Sequence, residues 1–232
     1  MISYLSQETV YRAEGHPGKE GVIQYQLEYQ PEHNIDCEYF AALNGWRSYL
    51  FRLGLIGQQD ARYDGLGYGN ISHRLNSESQ RFIISGTQTG HLPLLCREHY
   101  VVVDKAEPHL NRIVAHGPVK PSSEALTHGA LYLASPSVQC VMHVHSPLIW
   151  RHADTMKLPA TSAQIPYGTP QMAEAVKNCV EQSGESTGAI AMQGHEDGIL
   201  VYSDDIEAAG GLMLELLVWA HHLTESSDIR GS

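Results

Sequence analysis

Residues 21–30 read GVIQYQLEYQ, in which Ile23, Tyr25, Leu27 and Tyr29 alternate with Gln24, Gln26, Glu28 and Gln30. Strict period-two alternation puts the two sets on opposite faces, the pattern of a half-buried strand. The polar, glycine-containing stretch before it reads as an arm. From residue 36 to 55 the period lengthens. Phe40, Leu43, Trp46, Leu50 and Leu53 recur at helical spacing until Gly54 and Gly57 stop the pattern. Short β-prone runs separated by turn residues follow at 69–75, 81–85 and 99–104, with a weaker one at 110–114. Pro121-Ser122-Ser123-Glu124 then opens a helical pattern carried by Leu126, Ala130, Leu131 and Ala134, with proline, serine and glutamate suited to a helix start.

The rest continues in the same manner. Residues 140–144 are a short strand running into His145-Ser146-Pro147, and 170–182 read as a helix with Met172, Val176 and Val180 on one side. Strands at 189–192 and 199–202 flank the loop Gln193-Gly194-His195-Glu196-Asp197-Gly198. Asp204, with Glu207 three residues on, is the expected cap of a last helix that reaches about His222 and carries the stripe Leu212, Leu216, Trp219 and Leu223. Adjacent strands interspersed with helices predict an α/β sandwich around a largely antiparallel sheet.

At 232 residues the chain has room for one α/β domain with a full core, or a domain plus a small extension. The formal net charge of −11 argues against nucleic acid or an anionic membrane as partner. No apolar run approaches the roughly 20 residues that span a bilayer, and the N-terminus lacks the basic start and apolar core of a signal peptide. A soluble cytoplasmic protein is the expectation. Cys37, Cys96, Cys140 and Cys179 are scattered without a C-x-x-C pair, so they read as buried small hydrophobes in a reducing compartment.

Fourteen histidines are more than any fold feature requires, and position selects among them. His143 and His145 are separated by one residue in a strand, so both imidazoles leave the same face and can reach one ion. Such a pair is a weak signal alone, since two histidines at an exposed strand end look the same. Neutral imidazole suits Zn2+ and related divalent ions. His195, next to a glycine in a turn between two strands, offers a third ligand, although alone it reads as an ordinary loop residue. Glu124 complements a helix N-terminus; beside a metal it can also transfer protons. The loops 67–72 and 85–90 are rich in glycine, hydroxyls and amides. Turn chemistry suffices to explain them, and a cradle of backbone N–H groups for an anion is the sharper reading. Neither matches the nucleotide-binding G-x-x-x-x-G-K-[ST] pattern.

Taken together, Gly69-Asn70-Ile71-Ser72, Ser85-Gly86 with Thr89-Gly90, Ser122-Ser123-Glu124, His143-Val144-His145-Ser146 and the histidine of Gly194-His195-Glu196-Asp197-Gly198 resemble the class II aldolase/adducin family. The likeness runs from residue 36 to the C-terminal helix, so that 1–35 stand as an N-terminal extension with one strand and 36–232 as the aldolase-like domain. The resemblance implies a three-layer α/β/α sandwich and a homotetramer. It implies His143, His145 and His195 as ligands of a divalent metal, zinc above all, and Glu124 as the catalytic acid/base. It also implies Asn70, Thr89, Gly90, Ser122 and Ser123 as residues holding the phosphate of a small-molecule substrate. That would reconcile an anionic substrate with an acidic protein, because neutral donors and a helix N-terminus bind phosphate without lysine. In many family members the third ligand belongs to a histidine pair followed by glycine. Here Gly194 precedes His195 and two acidic residues follow. The implied activity is metal-dependent C–C bond cleavage or formation on a small hydroxy-carbonyl compound. Dehydration, epimerisation or decarboxylation at the same site, and a non-catalytic adducin-like binding module, are the alternatives.

Overall fold

A computed structural model describes residues 9–11, 21–33 and 35–231. The arm read before the first strand lies outside the described residues, apart from β1 (Thr9–Tyr11). The other strands are β2 (Gln26–Pro31), β3 (Gly57–Gln58), β4 (Gly67–Tyr68), β5 (Asn70–Arg74), β6 (Phe82–Ser85), β7 (Tyr100–Glu107), β8 (Arg112–Gly117), β9 (Cys140–His145), β10 (Gly188–Ala191) and β11 (Gly198–Ser203). The helices are α1 (Phe40–Arg52), α2 (Ala125–Ala134), α3 (Pro147–His152), α4 (Pro170–Ser183) and α5 (Ile206–Gly231). Among the described residues, nine strands form one sheet in the order β1-β2-β8-β7-β6-β5-β9-β11-β10, and β3 and β4 form a separate small ribbon. Every neighbouring pair in the large sheet is antiparallel except β2 with β8.

Helices cover both faces. On one side α1, α3 and α5 pack with Ile71, Met142, Val144 and Val201. On the other, α2 and α4 pack with Phe82, Val101, Val141 and Leu200. This is the expected three-layer α/β/α sandwich. It explains why β5, β9 and β11 are buried at every position, since a strand covered on both faces loses its polar side. At the sheet's other end β2 keeps the alternation seen in the sequence, with Leu27 and Tyr29 buried and Gln26 and Gln30 exposed. Its register runs parallel to β8 from Gln26 opposite Arg112 to Pro31 opposite Gly117.

Several expectations move. The weak strand at 110–114 is β8, starting two residues later at Arg112 and extending to Gly117. The last helix is capped by Asp205, whose Oδ1 accepts from the Ala208 N–H at 2.9 Å. Asp204 instead accepts from Ser186 and Ser203. That helix runs past His222 to Gly231, and its buried stripe is Ile206, Ala209, Met213, Leu216 and Ala220, with Trp219 exposed. Small residues mark the buried side because α1 approaches closely: a Cβ on Gly210 would collide with the Trp46 ring. Of the cysteines, Cys37 and Cys140 are buried, but Cys96 is exposed and Cys179 only half-buried; all four are free thiols.

In α1 the inward row is Leu43, Arg47 and Leu50, so an arginine occupies a core position. Its Nη2 donates to the Thr89 carbonyl at 2.9 Å and its Nη1 to that of Leu92. Burial pulls its pKa down from the usual arginine value. Arg47 thus fixes the loop that carries Thr89 and Gly90. Replacing it by methionine leaves both carbonyls without these donors, and Arg47→Met is expected to cost roughly 2–4 kcal/mol in denaturant unfolding.

Candidate metal centre

Two neighbours hold β9 in register: His143 lies opposite Asn70 of β5 and Leu200 of β11. Met142 and Val144 join the core on the α1/α3/α5 side, whereas Val141 packs under α2. Period-two alternation therefore turns His143 and His145 toward the α2 side. The turn between β10 and β11 delivers His195 to the same place. It is closed by His195 N–H to the Met192 carbonyl and Gly198 N–H to the His195 carbonyl, both at 2.9 Å. Gly194 is required there, because a Cβ would collide with the Ile165 carbonyl.

The three imidazoles are buried, and each offers one ring nitrogen within 4.8 Å of the others. Ring centroids are 5.1 Å apart for His143–His145, 5.0 Å for His143–His195 and 4.7 Å for His145–His195. Nitrogens around a tetrahedral zinc stand roughly 3.3 Å apart, so modest ring rotations suffice to complete such a set. Burial, followed by the neighbouring His195, drives the pKa values of His143 and His145 well below the ordinary histidine value. Both are thus neutral at pH 7, the form that ligates.

A second observation also fits a cation. Among the described residues the buried His143 Nε2 and Asn70 Oδ1 have no hydrogen-bond partner, while Asn70 Nδ2 stands 3.4 Å from His143 Nδ1. Amide orientation is an assignment, and turning the Asn70 amide lets Nδ1–H donate to Oδ1. The lone pair of Nε2 is then available to an ion, the usual outer-sphere arrangement of a ligating histidine. The flipped amide pairs Oδ1 and leaves Nδ2 at the position that had no partner.

Aromatic rings wall the cluster. Tyr167 stacks on His195 at 4.3 Å, and Tyr63 meets His145 edge-on at 4.6 Å. The Tyr63 hydroxyl donates to Asp197 at 2.6 Å and accepts from Arg62 at 2.6 Å, tying the 62–63 turn to the His195 loop. Of the acidic pair beside His195, Asp197 is engaged in this lock and Glu196 is exposed. Local patterning does not mark Tyr63 or Tyr167; Asp197 is marked only by departing from the family pattern.

Glu124 is buried immediately before α2, with no side-chain cap of its own; its N–H approaches Ser122 Oγ at 3.3 Å. Helix α2 lies over the sheet face that carries Asn70 and His143. One turn beyond Glu124, His128 Nδ1 is 2.7 Å from Ser72 Oγ, which is itself 2.7 Å from Tyr132 Oη. Burial pushes the His128 pKa down to about 3. Asn70, Thr89, Gly90, Ser122 and Ser123 line one polar pocket, together with Gly21, Thr87 and Gln88, and among the described residues no lysine or arginine lines it. Gly90 is needed for this packing, since a Cβ would meet the Gly57 carbonyl oxygen at 2.5 Å. Asn70 belongs to both places, with its amide against His143 and its body in the pocket wall.

The buried histidines give stability a pH dependence of definite sign. His128, His143 and His145 have folded pKa values below the unfolded value of about 6.5, so the unfolded chain takes up the protons first. Their contribution is complete above that value and is lost as pH falls toward the folded pKa values. The thermal midpoint of metal-free protein is expected to drop steadily below about pH 6.5, as differential scanning calorimetry would record.

The family model for the class II aldolase and adducin N-terminal domain matches residues 58–223. The chain belongs to the class II aldolase/adducin family. Methylthioribulose-1-phosphate dehydratase of Xanthomonas euvesicatoria is 35% identical over 79 residues, covering 34% of this chain and 33% of that protein. The enzyme of the same name from Stenotrophomonas maltophilia shows the same identity over 79 residues, with coverage of 34% and 33%. The matched segment thus spans about a third of the length of these curated relatives. Among solved structures, L-fuculose-1-phosphate aldolase from Thermus thermophilus has a TM-score of 0.62 at 18% identity, covering 83% of this chain and 96% of the other. A sugar-phosphate aldolase from Thermotoga maritima has a TM-score of 0.65 at 14% identity, with coverage of 83% and 96%. These likenesses establish the fold. No helix among the described residues is long and apolar enough to cross a membrane.

Proposed function

We propose that this chain is a metal-dependent lyase acting on a small phosphorylated hydroxy-carbonyl compound. The observation that carries the reading is the buried cluster of three imidazoles beside a polar pocket that has no cationic side chain among its described lining residues, with Asn70 joining the two. His143, His145 and His195 would hold the ion, with zinc suited to an all-imidazole set. Bound there, a divalent ion supplies Lewis acidity at the substrate carbonyl and makes the adjacent C–H acidic.

The protein's own groups do the rest. Asn70, Thr89, Gly90, Ser122 and Ser123 hold the phosphate through hydroxyl, amide and backbone N–H donors, and this neutral cradle is compatible with a net charge of −11. Glu124 takes or returns a proton at the carbon beside the carbonyl. Tyr167, Tyr63 and Tyr68 pack around the imidazoles and limit the entry of water. Two outcomes use Glu124 in opposite directions. Taking the proton from the carbon beside the carbonyl expels the neighbouring hydroxyl as water. C–C cleavage instead begins with loss of the neighbouring hydroxyl's proton, releases an aldehyde and ends with a proton returned to that carbon. The likeness to methylthioribulose-1-phosphate dehydratases favours dehydration. The cytoplasm, with its reducing conditions, accommodates four free thiols, and a homotetramer is the expected assembly.

The test is turnover of methylthioribulose 1-phosphate and L-fuculose 1-phosphate by zinc-loaded protein, with products resolved by mass spectrometry. A product lighter by one water supports dehydration, whereas two smaller fragments support C–C cleavage. Failure to bind zinc at all would favour the adducin-like binding module.

A further inference from the structure

The family match begins at residue 58, yet a wall of the polar pocket comes from far upstream. Gly21 lines the pocket, and its carbonyl oxygen accepts from Thr87 Oγ1 at 3.4 Å and from Gln88 Nε2 at 3.5 Å. Its φ of +67° is a conformation that favours glycine, and a Cβ there would stand 3.3 Å from the Gly67 carbonyl oxygen. Four residues on, the buried Tyr25 donates its hydroxyl hydrogen to the Ser122 carbonyl at 2.8 Å, with the Pro121 carbonyl at 3.4 Å. The segment between is fixed from outside. Asn111 Nδ2 donates to the Gln24 carbonyl at 3.1 Å, and the Gln26 N–H donates to the Asn111 carbonyl at 2.8 Å.

Residues 21–25 therefore fasten both sides of the pocket: Gly21 holds the 86–90 loop, and Tyr25 holds the turn that presents Ser122, Ser123 and Glu124. We infer that this upstream segment is a working part of the site, with Tyr25 a positioning residue for the Ser122–Glu124 turn and Gly21 a wall that sets how large an anionic group the pocket admits. The inference rests on the pocket being the anion site of the proposed lyase. Burial, and after it the nearby Glu124, raise the phenol's pKa, so the hydroxyl is a donor at neutral pH. A phenylalanine at this position keeps the ring in the core and deletes only the tether.

The experiment is calorimetric titration of the full-length, zinc-loaded protein with inorganic phosphate, alongside kinetics on methylthioribulose 1-phosphate and metal analysis. Tyr25→Phe is expected to retain its zinc, to bind phosphate about tenfold more weakly and to lose about tenfold in kcat/KM, the scale of one buried hydrogen bond. Gly21→Ala leaves the phenol untouched and is expected to weaken phosphate binding in the same direction. A lowered thermal midpoint with phosphate affinity and kcat/KM unchanged in both variants would make the segment merely structural and overturn the inference. Wild-type protein that binds no phosphate would overturn it too, together with the anion reading of the pocket. Phosphate binding without turnover of either sugar phosphate would sink the lyase reading alone, and the two variants then decide the segment's role by binding.

Discussion

Glu124→Gln is expected to lower turnover by about two to four orders of magnitude, the range that a positioned proton-transfer group contributes, while one zinc per chain remains bound. Glutamine has nearly the volume of glutamate and places an amide at the same buried position ahead of α2. It cannot take up the proton from the carbon beside the carbonyl. The ligand cluster of three histidines does not include Glu124, so metal retention separates loss of chemistry from loss of the site. Turnover of the true substrate at the wild-type rate by the glutamine variant would remove Glu124 from the mechanism.

His143→Ala is expected to abolish metal retention after dialysis and to reduce turnover at least 1,000-fold, on the order expected when a Lewis acid is lost. Two imidazoles cannot hold what three hold, and His143 is the one whose ring meets the Asn70 amide. The loss also has a stability signature. An ion that binds only folded protein stabilises it by about 4 kcal/mol at 1,000 times its dissociation constant, so zinc should raise the wild-type thermal midpoint. Thermal scans of His143→Ala with and without zinc should superimpose. A rise equal to that of wild type would place the ion elsewhere.

The histidine pair was legible because strand periodicity is local: His143 and His145, with one residue between them, must share a face. His195 and Glu124 were legible as site candidates only through the order of short motifs, since no local rule brings residue 195 or 124 to residue 143. The sandwich followed from alternating periods, although helix faces were misjudged where small residues govern. Trp219 falls on the apolar stripe with Leu212, Leu216 and Leu223, but the buried side of α5 is marked by Ala209 and Ala220, because α1 lies close against Gly210. The pocket's upstream wall had no signature, as Gly21 and Tyr25 act through a carbonyl acceptor and a single hydroxyl. Arg47 was hidden for another reason: an arginine on a helix normally faces solvent, and only the fold reveals the carbonyls it serves.

The alternation along β9 bears on how such a chain can change over evolutionary time. Its neighbours on both sides pair with it residue by residue, so inserting or deleting one residue within 140–145 reverses every side chain beyond that point. Imidazoles would then enter the aliphatic layer beneath α1 and α5, while Met142 and Val144 would occupy the side now held by the histidines. Substitution can alter this strand one property at a time, but a change in its length exchanges two incompatible surfaces in a single step. The strand's residue count is thus under tighter constraint than most of its residue identities.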